Sequence, residues 1–203
     1  MTPLLVGIGL GFTVAASFGP INVFSLSSGL RYGFWPAYGV ALGATAADGL
    51  YAFLGGLGAA ALFTGSAEGW FQILGGAVLI VLAARMARPP SLEGERRASR
   101  GFGRSFAIAL GATLANPITI VYWAGAFAGV VPRFDLSRAE ALVLLPLGVV
   151  VGGVCWATLL ASGSAFAGRY VGERLLAWVS VASAVTIGAF GIWFVVGGLR
   201  TLT

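Results

Sequence analysis

Apolar residues run along this chain in long continuous stretches, and the charges fall between them. Met1 to Leu30 carries no charge, and Tyr32 to Ala67 carries only Asp48. Gly69 to Ala84, Ser105 to Pro132, Ala141 to Gly168 and Leu175 to Leu199 carry none. A helix needs about 20 mostly apolar residues to cross a bilayer. The pattern therefore predicts an all-α, polytopic membrane protein with six transmembrane helices, near 4–28, 37–62, 68–87, 105–131, 141–166 and 175–199. A membrane β-barrel would instead alternate apolar and polar positions over about ten residues per strand. The first run has no basic residue before Arg31 and is too long for a signal peptide, so it is expected to remain as a span.

The stretch 85–104 holds six arginines together with Pro89, Pro90, Ser91 and Gly94, and it reads as a flexible joint. Three spans precede it and three follow. A repeat built from an odd number of spans must be inverted in the membrane. The chain is thus expected to be one transmembrane domain over 1–203: a first repeat at about 1–84, a loop at 85–104 and a second repeat at about 105–203. The first span of each half carries a proline where a helix should continue. One break reads Phe18-Gly19-Pro20-Ile21-Asn22 and the other Ala115-Asn116-Pro117-Ile118-Thr119. Proline lacks an N–H and clashes with the carbonyl one turn back. A single kink of this kind is usually structural. Matching breaks in the two halves, each with an asparagine, point to a transport site near the midplane.

Composition sharpens this picture. Of 203 residues, 58% are hydrophobic and 9% charged, with a mean hydropathy of +0.94, whereas a soluble domain carries about 25% charged residues. The chain has no histidine and no lysine. Histidine metal sites, Ser–His and Ser–Lys catalysis and the lysine-bearing P-loop are thereby excluded. Cys155 is the sole cysteine, so a two-cysteine redox relay is excluded too, and packing is its expected role. No cofactor, no metal and no enzymatic activity are expected. All 12 basic residues are arginine, and placing the 85–104 loop in the cytoplasm puts nine inside and three outside. Basic loops favour the cytoplasmic side, so both termini are expected outside it. The net charge of +5 resides mostly in that loop and calls for no nucleic-acid partner.

Asp48 is the one charge deep inside a predicted span, about 18 residues (roughly 27 Å of helix) from either end of its run, whereas Glu68 and Arg85 at the ends of the third span are expected to reach outward to the interfaces. At that depth it must face the bundle or a cavity. Its helical neighbours Ala41, Ala44, Thr45, Tyr51, Ala52 and Gly55 make a small, polar face, unlike Leu50, Phe53 and Leu54. A carboxyl there is a candidate proton carrier; the plainer alternative is a hydrogen-bond anchor to Asn22 or Asn116. Thr113, Ser25, Ser27 and Thr158 are expected to bond to backbone. Tyr122 and Trp123 follow the second break and are candidates to line a pocket.

These residues carry a family resemblance. Gly19-Pro20-Ile21-Asn22, Gly29-Leu30-Arg31-Tyr32-Gly33-Phe34, the stretch Gly43-Ala44-Thr45-Ala46-Ala47-Asp48-Gly49-Leu50-Tyr51, and Asn116-Pro117-Ile118-Thr119 with Trp123 together resemble the LysE/RhtB amino-acid exporters. The resemblance spans essentially the whole chain. Many members read Pro-Gly-Pro at the first break, where this chain has Phe18. The resemblance implies ion-driven export of amino acids or similar small metabolites across the bacterial plasma membrane. The expected substrate and ion site comprises Gly19, Pro20, Asn22, Thr45, Asp48, Tyr51, Asn116, Pro117, Thr119 and Trp123. The expected partners are a small-molecule substrate, a coupling proton or cation and the lipid bilayer, with a homo-oligomer left open. The competing readings are a six-helix membrane scaffold or assembly factor and a thiol-electron carrier-like protein.

Overall fold

The computed structural model describes residues 2–17, 19–57, 66–87, 101–116 and 139–202. Between these last two ranges it describes Thr119, Tyr122, Trp123, Ala126, Val130, Phe134, Leu136 and Ser137. The described residues form helices and connecting turns, with no strand among them. Seven continuous α-helices are seen among the described residues, in order: α1 Thr2–Ala16, α2 Pro20–Tyr32, α3 Phe34–Gly56, α4 Ser66–Met86, α5 Phe102–Leu114, α6 Leu145–Gly168 and α7 Glu173–Leu202.

The first predicted span is two helices. α1 stops as the Ser17 hydroxyl turns back onto the Val14 carbonyl at 2.6 Å. Gly19 is extended, and the chain restarts with Pro20 at a helix's first position, where its missing N–H costs nothing. The two helices meet at 73°. α2 ends at Gly33, whose φ of +86° suits glycine and whose N–H caps the Gly29 carbonyl at 3.0 Å. α3 begins one residue later.

The fourth predicted span is interrupted as well. α5 ends at Leu114, and the Asn116 N–H folds back to the Thr113 carbonyl at 3.1 Å. A residue preceding proline is disfavoured in the helical conformation. Pro117 itself lies outside the described residues, while Thr119, Tyr122, Trp123, Ala126 and Val130 are helical. The fifth span starts with a reciprocal cap. Glu140 accepts the Ser137 N–H and hydroxyl at 3.0 and 2.8 Å, and Ser137 Oγ accepts the Glu140 N–H at 3.3 Å. A π-helical turn over Glu140–Leu144 then leads into α6. Pro146 has no N–H to return to Leu142, which favours the wider turn there.

By length and composition, 140–168 and 174–202 can each cross a bilayer unaided, and there are three such spans if the bent α1–α2 pair counts as one. Shorter apolar helical stretches cover 73–84 and 102–114. The two or three spans counted this way fall short of the six expected. The breaks and the stretches outside the described residues divide the remaining apolar runs. The loop residues 88–100, on which the expected joint and orientation rest, lie outside the described residues.

Glycines let the helices touch backbone to backbone, as expected where no hydrophobic force drives helices together in lipid. α1 lies along α6, and a Cβ added at Gly7 or Gly11 would strike the carbonyls of Leu145 or Val149. Reciprocally, a Cβ at Gly148 or Gly152 would strike those of Leu4 or Ile8. α3 lies between α5 and α6, α4 lies along α7, and α2 contacts α3, α6 and α7.

Candidate functional site

The two breaks open onto one cavity of about 110 Å3. The first break contributes Ser17, Gly19, Pro20, Ile21 and Asn22 to its wall, with Val14 and Ala15 from the end of α1. α3 contributes Ala41, Ala44, Thr45 and Asp48, the second break Thr113, Asn116 and Thr119, and α6 Trp156. Asp48 is the sole charged side chain among these described lining residues.

Asp48 is 8% exposed. Its Oδ1 accepts the indole N–H of Trp123 at 2.9 Å. Trp123 is 1% exposed and packs with Tyr51, Ala52, Leu145 and Val149 in an apolar cluster. Asp48 is therefore bonded to an indole from beyond the second break, where the sequence suggested Asn22 or Asn116. An indole only donates, so it holds one carboxyl oxygen in place in either protonation state. Leu50 and Phe53 are exposed on the opposite face of α3, as expected for the lipid side.

Asn22 serves the break it belongs to. Its amide donates to the carbonyls of Ala15 and Ser17, both at 2.6 Å, and its Oδ1 accepts the Trp156 indole N–H at 3.2 Å. Trp156 also meets the edge of Phe12, with ring centroids 5.6 Å apart. Two carbonyls left over at the end of α1 thus already have a donor, which leaves them less open to a ligand than a bare helix end. The N-terminal turn of α2 has no side-chain cap.

The second break is stitched from α3. Tyr51 donates its hydroxyl to the Leu114 carbonyl. Thr45 bonds back to the Ala41 carbonyl at 2.9 Å. Ser25, Ser27 and Thr158 bond to backbone carbonyls as the sequence suggested, at 3.0, 3.0 and 2.8 Å. Thr113 does not. It is 4% exposed, and its hydroxyl has no hydrogen-bond partner among the described residues.

Of the ten site residues expected from sequence, Gly19, Pro20, Asn22, Thr45, Asp48, Asn116 and Thr119 line the cavity. Trp123 stands behind Asp48, and Tyr51 anchors the end of α5. Pro117 lies outside the described residues. Sequence reasoning missed Trp156 and passed over Thr113. Trp156 shares a helical face with Gly148 and Gly152, and a bulky aromatic on that small-residue face was an available signal. Cys155 is exposed on α6 and does not pack inside. No cluster of three metal-ligating side chains occurs among the described residues.

With this geometry in hand, comparison with known proteins is direct. No solved structure gives a significant match. A Bacillus subtilis (strain 168) protein named "Putative amino acid efflux protein YcgF" is 25% identical over 207 aligned residues, covering 100% of this chain and 99% of that protein. The profile described as LysE type translocator matches residues 12–198. The chain is a membrane protein of the transporter class and belongs to the LysE type translocator family.

Proposed function

We propose that this transporter is a secondary exporter of amino acids, driven by an ion gradient, with the cavity between the two breaks as its substrate site. The observation that carries the reading is a lone carboxylate, Asp48, on the wall of a cavity flanked by two interrupted helices. Intramembrane acids in such places mark ion or substrate paths. The amino-acid efflux name of the Bacillus relative points the same way. A substrate ammonium goes to Asp48, and a substrate carboxylate goes to the uncapped N-terminus of α2, whose free N–H groups and partial positive charge favour an anion.

The proposal includes six spans in two inverted repeats in the bacterial plasma membrane, with both termini outside the cytoplasm. Helix contacts support the repeat. Exchanging the two halves turns the α1–α6 contact into the α5–α3 contact, and both occur. It also carries the α4–α7 contact onto itself. There Gly76 and Gly191 meet reciprocally, each so close that an added Cβ would approach the other's carbonyl oxygen, at 2.5 and 2.9 Å.

The test uses purified protein in vesicles loaded with an amino acid that the protein exchanges, followed by uptake of that labelled amino acid and of its carboxamide. The acid is expected to exchange and the amide to fail. Equal exchange of both overturns carboxylate recognition at α2. Pro20→Ala/Pro117→Ala is expected to lower exchange, because a continuous helix hides the N–H groups, and wild-type exchange by that variant removes the breaks from the mechanism. A reporter fused after Thr203 is expected to be active outside the cytoplasm and one near Gly94 inside it.

A further inference from the structure

A second hollow lies between α4 and α5, and it shares no lining residue with the cavity between the breaks. It is an open groove of about 370 Å3, lined by Leu74, Ala77, Val78, Val81 and Leu82 from α4 and by Ile108 from α5. None of these side chains can form a hydrogen bond, so a polar metabolite has nothing to hold it there. Leu82 forms the floor, packed into the apolar core with Leu79 and Ala83, whereas Leu74 and Val81 are more than half exposed. In a membrane protein such a groove opens onto acyl chains.

Its two ends differ. At one, α4 and α5 meet backbone to backbone, and a Cβ added at Gly75 would strike the Ala115 carbonyl. At the other stands Arg104, one helical turn before Ile108 on α5, and position 85 of α4, one turn beyond Val81, is an arginine as well. From Gly75 to position 85, and from Ala115 to Arg104, the helices rise roughly 15–17 Å. A single leaflet contributes about 15 Å to the hydrocarbon core, so the groove runs the depth of one leaflet. Trp35 is exposed, with its ring 6.4 Å from that of Phe102, two residues before Arg104; tryptophan in such a place marks the headgroup level. Arg104 is exposed and has no ion-pair partner among the described side chains. The described acids lie elsewhere: Asp48 in mid-span, and Glu140 beside the far end of α3, where Gly56 packs on Ala141.

We propose that this groove is a binding site for one anionic glycerophospholipid. One acyl chain lies along α4 over Ala77 and Val78, and the phosphate accepts from the Arg104 guanidinium at the headgroup level. A guanidinium presents its donors in a plane that matches two phosphate oxygens at once. An anionic headgroup suits this end better than a zwitterionic one, because neither described acid stands there to receive a choline or ethanolamine cation. The lipid thereby joins α4, the last helix before residues 88–100, to α5, the first after them.

The test is native mass spectrometry of the purified protein after equal exposure to phosphatidylglycerol and phosphatidylcholine with the same acyl chains. The wild type is expected to retain phosphatidylglycerol at least about fivefold more than phosphatidylcholine, the preference that one surface arginine confers. Arg104→Gln is expected to bring this ratio near one, and Arg104→Lys to keep most of it. Ala77→Phe fills the groove with a ring and is expected to lower retention of both lipids. Arg169→Gln is the control: Arg169 ends α6, which packs on α1, α2 and α3, and its loss is expected to leave the ratio unchanged. Arg104, Ala77 and Arg169 are all exposed, so none of these changes disturbs the core. A wild-type ratio near one, an unchanged ratio in Arg104→Gln, unchanged retention in Ala77→Phe, or an equal fall in Arg169→Gln each overturns the inference. So does a lipid-free dimer that Ala77→Phe dissociates, which would put a second copy of the chain in the groove.

Discussion

The two interruptions begin from similar residues, Gly19-Pro20-Ile21-Asn22 and Ala115-Asn116-Pro117-Ile118, yet their loose backbone groups are satisfied from different directions. At the first break, Asn22 reaches back over the gap to the Ala15 and Ser17 carbonyls and is steadied by Trp156 from α6. The donor comes from the broken helix itself. At the second break the help comes from α3, through Tyr51 on the Leu114 carbonyl and through Asp48, which accepts from Trp123. The first break is thus bound to a neutral amide and the second to an ionisable group. A proton arriving at Asp48 changes the charge to which the second break is tied, and nothing similar can happen at Asn22. Coupling is therefore expected to act through the second half of the pair.

The largest test of that asymmetry is Asp48→Asn. Asparagine can still accept the Trp123 N–H but cannot titrate. Gradient-driven efflux from vesicles is expected to fall to background. Driven efflux at the wild-type rate would place coupling elsewhere. Next come the two tryptophans. Trp123→Phe strips a donor from a buried carboxylate, a bond of about 1.5–3 kcal/mol, and should slow driven efflux at least about tenfold. Trp156→Phe strips one from a neutral amide, about 0.5–1.5 kcal/mol, and should slow it only about two- to tenfold. Equal losses in the same efflux assay would erase the distinction between the breaks.

Much of this arrangement was legible along the chain. A proline deep inside an apolar run marks an interrupted helix, and Pro20 falls where α2 begins, whereas Pro146, near the start of its run, is absorbed by a π-helical turn. Asp48 was legible because a lone charge in a span must turn inward. What stayed hidden depends on which helix faces which. Trp156 lies 134 positions beyond its partner Asn22, and spacing along one helix says nothing about a neighbour so remote. Thr113 was misjudged because threonine in a helix usually bonds to its own backbone, and only the surrounding side chains reveal that this one does not. The asparagines look equivalent in sequence, but Asn22 follows its proline by two positions and Asn116 precedes its own by one.

Smaller effects sharpen the comparison further. Asn22→Ala leaves the Ala15 and Ser17 carbonyls without their donor and should cost about 1–3 kcal/mol of stability, read as a lower thermal midpoint in detergent. A midpoint equal to that of the wild type would show that the first break does not depend on its own asparagine. Tyr51→Phe removes one neutral donor at the second break and should cost about 1 kcal/mol in the same measurement. A larger loss than for Asn22→Ala would reverse the order of dependence proposed for the two breaks.

The glycine contacts between α1 and α6 have a consequence for how the protein is made. Gly11 and Gly148 belong to the same helix pair but are 137 positions apart in the chain. At a synthesis rate of about 5–20 residues per second, the first helix waits roughly 7 to 30 seconds for its partner to leave the ribosome. During that time its backbone hydrogen bonds are internally closed, so lipid can tolerate it. Its glycine groove, however, is filled by nothing from its own chain. A ribosome that stalls before residue 145 leaves α1 inserted with its groove open to lipid, because the helix that fills it has not been made.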